Sequence, residues 1–148
     1  MPQAALPERV ADHFNSAGTA NGWTSRSAFT AFFVVFGTIF SSFVIGICYS
    51  IRFFPSRLLN VPNPEYWRSP KHYPEACAFL FGHAFWFGAL AAVWFGLFHY
   101  LVVRANRLTP PVLDSKTLSL LTVAFLAGIL FWAMALIRHF RNLPGSEA

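Results

Sequence analysis

Few residues of this 148-residue chain combine reactive chemistry with a setting that would use it. His83 and His99 are the ionisable groups well inside long apolar runs. Histidine at such depth points to haem ligation or a proton path. The two lie sixteen positions apart, about 160° around a helix. Opposite faces of one helix do not suit two ligands on one haem or on two stacked haems. The apolar runs also hold no carboxylate, which a proton carrier would want. His99 is expected to bond a neighbour such as Thr117, and His83 a backbone carbonyl or a partner subunit. Asp12-His13-Phe14-Asn15 offers metal-capable side chains. Its spacing is too tight for a complete set, so further ligands would have to come from the loop over 104–116. A hydrogen-bonded turn is the expected use of that segment. Cys48 and Cys77 have no CxxC or Cys/His spacing and read as inert thiols. The sequence shows no Ser/His/Asp set, no paired carboxylates and no phosphate-cradling glycine loop. No catalytic residue, cofactor or metal is expected.

The elements that must position these residues are three long uncharged stretches, Ser27–Ile51, Ala76–Val103 and Thr117–Ile137. Each exceeds the roughly 20 apolar residues that cross a bilayer as a helix. The sequence therefore predicts an all-α integral membrane fold with three transmembrane helices. Residues 1–26 form a polar segment outside the membrane, 27–143 the three-helix domain and 144–148 a short tail. Apolar residues make up 55% of the chain and aromatics 18%, which suits lipid-facing and interhelical packing. The net charge of +5 would suggest nucleic acid in a soluble protein. Here the cations flank the apolar runs, where they anchor helices at headgroups, so the expected partner is the bilayer and not nucleic acid.

Local signals set the ends of these elements. Asn15-Ser-Ala-Gly18 and Asn21-Gly22 are turn chemistry. Ser25 can cap the first span and Asp114-Ser115 the third. Pro55 closes the first span and Pro110-Pro111 the second. The first loop, Arg52–Glu75, mixes prolines with Tyr66, Trp67, Arg57 and Arg68, a composition suited to the headgroup layer. The amino-terminal segment and second loop carry five Lys/Arg, and the first loop and tail six. Charge bias thus favours an outside amino terminus and a cytoplasmic carboxyl terminus.

The second span carries a heptad-spaced stripe: Ala78, Gly82, Phe85, Ala89, Ala92, Gly96, His99. The third carries Leu121, Ala124, Gly128, Phe131 and Ala135. Small residues let helix backbones approach closely in lipid. The stripes predict that spans two and three form a tight antiparallel hairpin, closest at Gly82 and Gly96. Gly37, Thr38, Ser41 and Ser42 offer a further close-contact face on the first span.

The run from Leu6-Pro7 through His13-Phe14-Asn15 and Gly18, followed by Trp23, Ser25 and Arg26, resembles an uncharacterised bacterial membrane domain. That domain stands at the amino end of SdpI-type toxin-immunity proteins. Arg26 replaces the usual lysine, and Ala11-Asp12 stands where the pattern often has proline nearby. Pro62-Asn63-Pro64-Glu65-Tyr66-Trp67 is similar to a Pro-Asn-x-x-Tyr-Trp signature of small membrane proteins with the same domain. The resemblance implies a bacterial inner-membrane protein with the His-Phe-Asn segment outside. Members usually have a helix before the Leu-Pro pair and a further half after the domain, and this sequence shows neither. Immunity and signalling are therefore not carried over with the resemblance.

The expected function is a non-enzymatic accessory or structural subunit of a membrane complex, or a homo-oligomer. The first alternative is an immunity or signalling protein that recognises a ligand through the segment from His13 to Trp23. The second is a haem or quinone redox subunit. His13, Asn15 and Trp23 are expected to build a compact turn on the outer surface. Pro62, Asn63, Tyr66 and Trp67 are expected to lie along the inner headgroups.

Overall fold

The computed structural model describes residues 6–143. Two short strands come first, β1 (Arg9–Phe14) and β2 (Ala20–Ser25). They pair antiparallel, with Val10 opposite Thr24 and Ala11 opposite Trp23. Helix α1 (Arg26–Ser50) follows directly. Two 3-10 turns, Ile51–Phe53 and Ser56–Leu58, lead to the four-residue α2 (Pro64–Trp67). Then come the long helices α3 (Tyr73–Ala105) and α4 (Ser115–Arg141). Three segments, Arg26–Phe53, Tyr73–Ala105 and Ser115–Arg141, are each long and apolar enough to cross a membrane.

The fold is thus helical but not all-α. The segment expected to be a turn is a β-hairpin. Valine, threonine, tryptophan and phenylalanine favour strands, and the Asn15–Gly18 turn joins two such runs. The Asn15 side chain accepts from the amides of Ala17 and Thr19, at 3.0 and 2.9 Å. Gly18 takes φ +80° there, a conformation that a Cβ would oppose.

The expected caps form. Ser25 Oγ accepts from the Ala28 amide at 3.2 Å, and Asp114 Oδ1 from the Thr117 amide at 3.0 Å. Pro144 and Gly145 lie outside the described residues.

The chain divides into two compact units, Met1–Ile39 with Ala91–Phe125, and Phe40–Leu90 with Leu126–Ala148. In the first unit, Val10 of the hairpin joins Phe29, Leu101, Val102, Ala105 and Leu113 in one buried cluster. In the second, Leu59, Trp67, Ala76 and Phe140 form the buried cluster.

The glycine stripe is corrected. A Cβ built on Gly82, Gly96 or Gly37 would meet nothing within 4 Å among the described residues. Ala89 and Ala124 are exposed as well. The buried face of α3 instead carries Cys77, Ala84, Ala91 and Ala105, one heptad or two apart. In the second unit the close approaches are at Gly128, where a Cβ would lie 3.1 Å from Leu90 Cδ2, and at Gly88, where one would lie 3.5 Å from Ile45 Cδ1 and 3.9 Å from Ser41 Cβ. Both faces of α3 satisfy the same period. The face with large neighbours gains more: Phe87 packs on Trp132 at 5.1 Å, and Trp132 Nε1 donates to the His83 carbonyl at 3.0 Å. In lipid, dispersion and hydrogen bonds drive helix association, so rings and an indole N–H outweigh bare backbone approach.

Candidate functional site

In the first unit the end of α3 holds β1 in place. Asn106 is buried, and its amide side chain copies a strand edge. The Ala11 amide donates to Asn106 Oδ1 at 2.7 Å, and Asn106 Nδ2 donates to the Ala11 carbonyl at 2.9 Å. A second tie lies at the turn, where the Leu113 amide donates to the Gly18 carbonyl at 2.8 Å. A Cβ on Gly18 would run into the Leu113 carbonyl oxygen. These ties satisfy backbone groups that would otherwise be stranded near an apolar surface.

The strand register slips between Ala11 and His13. Asp12 is therefore left without a paired residue opposite. A bulge of this kind re-aims the side chain it carries. Asp12, His13 and Thr24 form the polar side of a cavity of about 400 Å³, completed by Ala28, Phe29, Phe32, Phe33, Phe98 and Val102. Phe29 and Val102 are almost fully buried, while Phe32 is 54% exposed, so the apolar side opens outward. Neither Asp12 nor His13 has a side-chain hydrogen bond, ion pair or ring partner among the described residues. Gly22 faces His13 so closely that a Cβ there would lie 2.8 Å from the His13 Cβ. Trp23, on the neighbouring strand, is 47% exposed.

His99 sits elsewhere than expected. Its ring stacks on Phe29 at 5.5 Å and meets Phe33 edge-on at 4.9 Å. Thr117 is engaged by Asp114, to whose Oδ2 its hydroxyl donates at 2.7 Å. That same pair of donors holds the Asp114 carboxyl below its ordinary pKa, the Thr117 amide first and its hydroxyl second. His83, in the second unit, lies with Nδ1 3.2 Å from the Phe79 carbonyl, the first of the two kinds of partner expected of it. Among the described residues no three His, Cys, Asp or Glu side chains gather as a metal site would require.

The motif of the first loop packs against the end of α4. Trp67 has no exposed surface. Its Nε1 donates to the Phe140 carbonyl at 2.9 Å, and Asn63 Nδ2 donates to the Phe140 and Arg141 carbonyls at 3.0 and 2.9 Å. The last carbonyls of a helix have no partner within it. Trp67 and Asn63 supply partners for the end of α4. Asn63 reaches them from a left-handed conformation, φ 52°, which asparagine tolerates better than most residues. Pro64 opens α2 just after it. Tyr66 stacks on His72 at 4.0 Å, and Pro62 is half-buried beside this knot. Tyr73 adds a further tie, its hydroxyl 2.7 Å from the Ile51 carbonyl and 2.8 Å from that of Phe54.

Sequence reasoning overlooked Asn106 and the part played by Asp12. Asn106 had one available signal: a neutral amide where an apolar run ends, a natural place for a side chain that bonds backbone.

Among the described residues, these features define a class: three helices long and apolar enough to cross a membrane, with a β-hairpin held at the end of one. Residues 4–39 match the family model of DUF1648, a domain of unknown function. The match takes in the hairpin and the first half of α1. No curated protein and no solved structure matches the chain.

Proposed function

We propose that this chain is a small multi-pass protein of the bacterial inner membrane that acts without catalysis, as an accessory subunit or a self-associating unit. One observation carries the reading: most of the polar side chains in the hairpin turn, the first-loop motif and the end of α3 are engaged in holding backbone. Asn15, Asn63, Trp67, Tyr73 and Asn106 each bond main-chain groups. Large apolar residues such as Val35, Phe43, Trp86, Leu120 and Leu130 meanwhile face outward along the helices. That surface suits lipid or the helices of another subunit. Contacts of Phe79 with His139, Phe87 with Trp132 and Leu90 with Gly128 support an antiparallel α3–α4 hairpin. The charge bias favours an outside amino terminus and a cytoplasmic carboxyl terminus.

Copurification from native membranes after mild crosslinking tests this function. A stoichiometric membrane partner or a discrete homo-oligomer is the expected outcome. A monomer that turns over a substrate would overturn it.

A second reading, recognition of an outside ligand as in immunity or signalling, is favoured by the free His13 and the exposed Trp23. His13→Ala with unchanged detergent stability but lost protection or signalling would favour this second reading.

A further inference from the structure

We propose that the cavity beneath the hairpin binds a phospholipid with a primary-ammonium headgroup, of the phosphoethanolamine kind. The inference rests on the reading of the three helices as membrane spans and adds a ligand class to it. The cavity has two chemically distinct sides. Its polar side is lined by Asp12, His13 and Thr24, which carry a carboxylate, an imidazole and a hydroxyl. Its apolar side is four phenylalanines with Ala28 and Val102. An amphiphile fits both at once, and a volume of about 400 Å³ lies within the usual range for ligand sites.

The carboxylate sets the sign. Asp12 has no cation beside it within the cavity lining. The strand bulge leaves it unpaired, and a carboxylate accepts from an ammonium in a short, charge-assisted bond. His13 and Thr24 have N–H and O–H groups to donate to the headgroup phosphate. The alternation of acceptor and donors matches a zwitterion of this order. A purely anionic headgroup could take the same donors for its phosphate but would bring no ammonium to pair with Asp12, whose carboxylate would then repel it. A quaternary ammonium could lie over the phenylalanine rings but has no N–H to give Asp12. The location agrees. The cavity lies where α1 begins, at the boundary between the polar hairpin and the apolar span, and Phe32 opens its floor outward. Acyl chains would leave across Phe32 and Phe33 along α1.

The test uses the full chain in vesicles of equal phosphatidylethanolamine, phosphatidylcholine and phosphatidylglycerol, followed by native mass spectrometry of the extracted protein. Flotation and alkaline extraction are scored first. A chain that fails to stay with the vesicles defeats the membrane reading itself. A chain that stays but retains the three lipids equally defeats only the lipid site. The expected result is preferential retention of the ethanolamine lipid by roughly tenfold, the scale of one charged hydrogen bond. Asp12→Asn should abolish the preference, and Phe32→Ala should lower total retention while leaving the preference. An Asp12→Asn protein that keeps the preference overturns the assignment. A photoreactive phosphatidylethanolamine on the unaltered protein gives an arm that needs no variant. Labelling within 28–33 is expected, and labelling confined elsewhere overturns the site.

Discussion

The hairpin in the first unit and the first-loop knot in the second meet a similar need by different means. Both bring irregular chain against the end of a long helix, where backbone groups lack partners. In the knot, Trp67 and Asn63 face the α4 carbonyls, and the indole is wholly buried. In the hairpin the helix supplies the side chain: Asn106 bonds the Ala11 backbone, and the strand's own Asp12 and His13 remain free at an open cavity. Polar side chains therefore serve as structure in the knot, while at the hairpin a carboxylate and an imidazole stay available. Hydrogen-bond saturation is what separates the two. A motif whose donors are all engaged reads as a fastening, and one that leaves a carboxylate and an imidazole unengaged reads as a site.

The largest expected effect breaks the knot. Trp67→Ala removes a buried ring and the donor to Phe140, a loss of about 3–5 kcal/mol. Thermal unfolding in detergent should show it, and Trp67→Phe should recover most of the loss. Neither variant should alter lipid preference at the hairpin, since the two regions fasten through different residues.

Asn106→Ala attacks the hairpin in the same way. It leaves the Ala11 amide and carbonyl buried without partners, at about 1–3 kcal/mol each. Loss of hydrogen-exchange protection over β1, with α4 unaffected, is the expected signature. Equal protection in the variant would mean that Asn106 does not hold the strand.

Packing gives a sharper contrast within one chain. Gly128→Leu should destabilise by about 1–3 kcal/mol, the usual range for overpacking, because Leu90 already stands against that position. Gly82→Leu should be neutral or slightly stabilising, since leucine has the better helix propensity and the space is open. Reversal of that order in melting temperature would restore the stripe that the sequence suggested.

The smallest effect is at the α4 cap. The Asp114 carboxyl is held below its ordinary pKa by the Thr117 amide and hydroxyl. Its folded pKa is therefore below its unfolded one. The contribution is present above the unfolded pKa and is lost as pH falls through the folded pKa. Acid titration of stability should show a shallower loss in Asp114→Asn than in the unaltered protein. Parallel profiles would remove Asp114 from the cap.

Much of this molecule was set by local sequence. Three apolar runs of sufficient length specify three helices, because an uncharged segment of that span has few other ways to satisfy its backbone in lipid. Ser25, Asp114, Asn15 and Gly18 act on neighbours within four residues, so their roles as caps and turn residues could be read from spacing alone. Tertiary structure decided the rest. Asn106 and Ala11 are separated by 95 positions, and Trp67 and Phe140 by 73, and no local pattern pairs them. The choice between two small-residue faces of α3 was equally hidden, since both keep the helical period. Only the partner rings and the carbonyl that accepts from Trp132 distinguish the buried face from the exposed one.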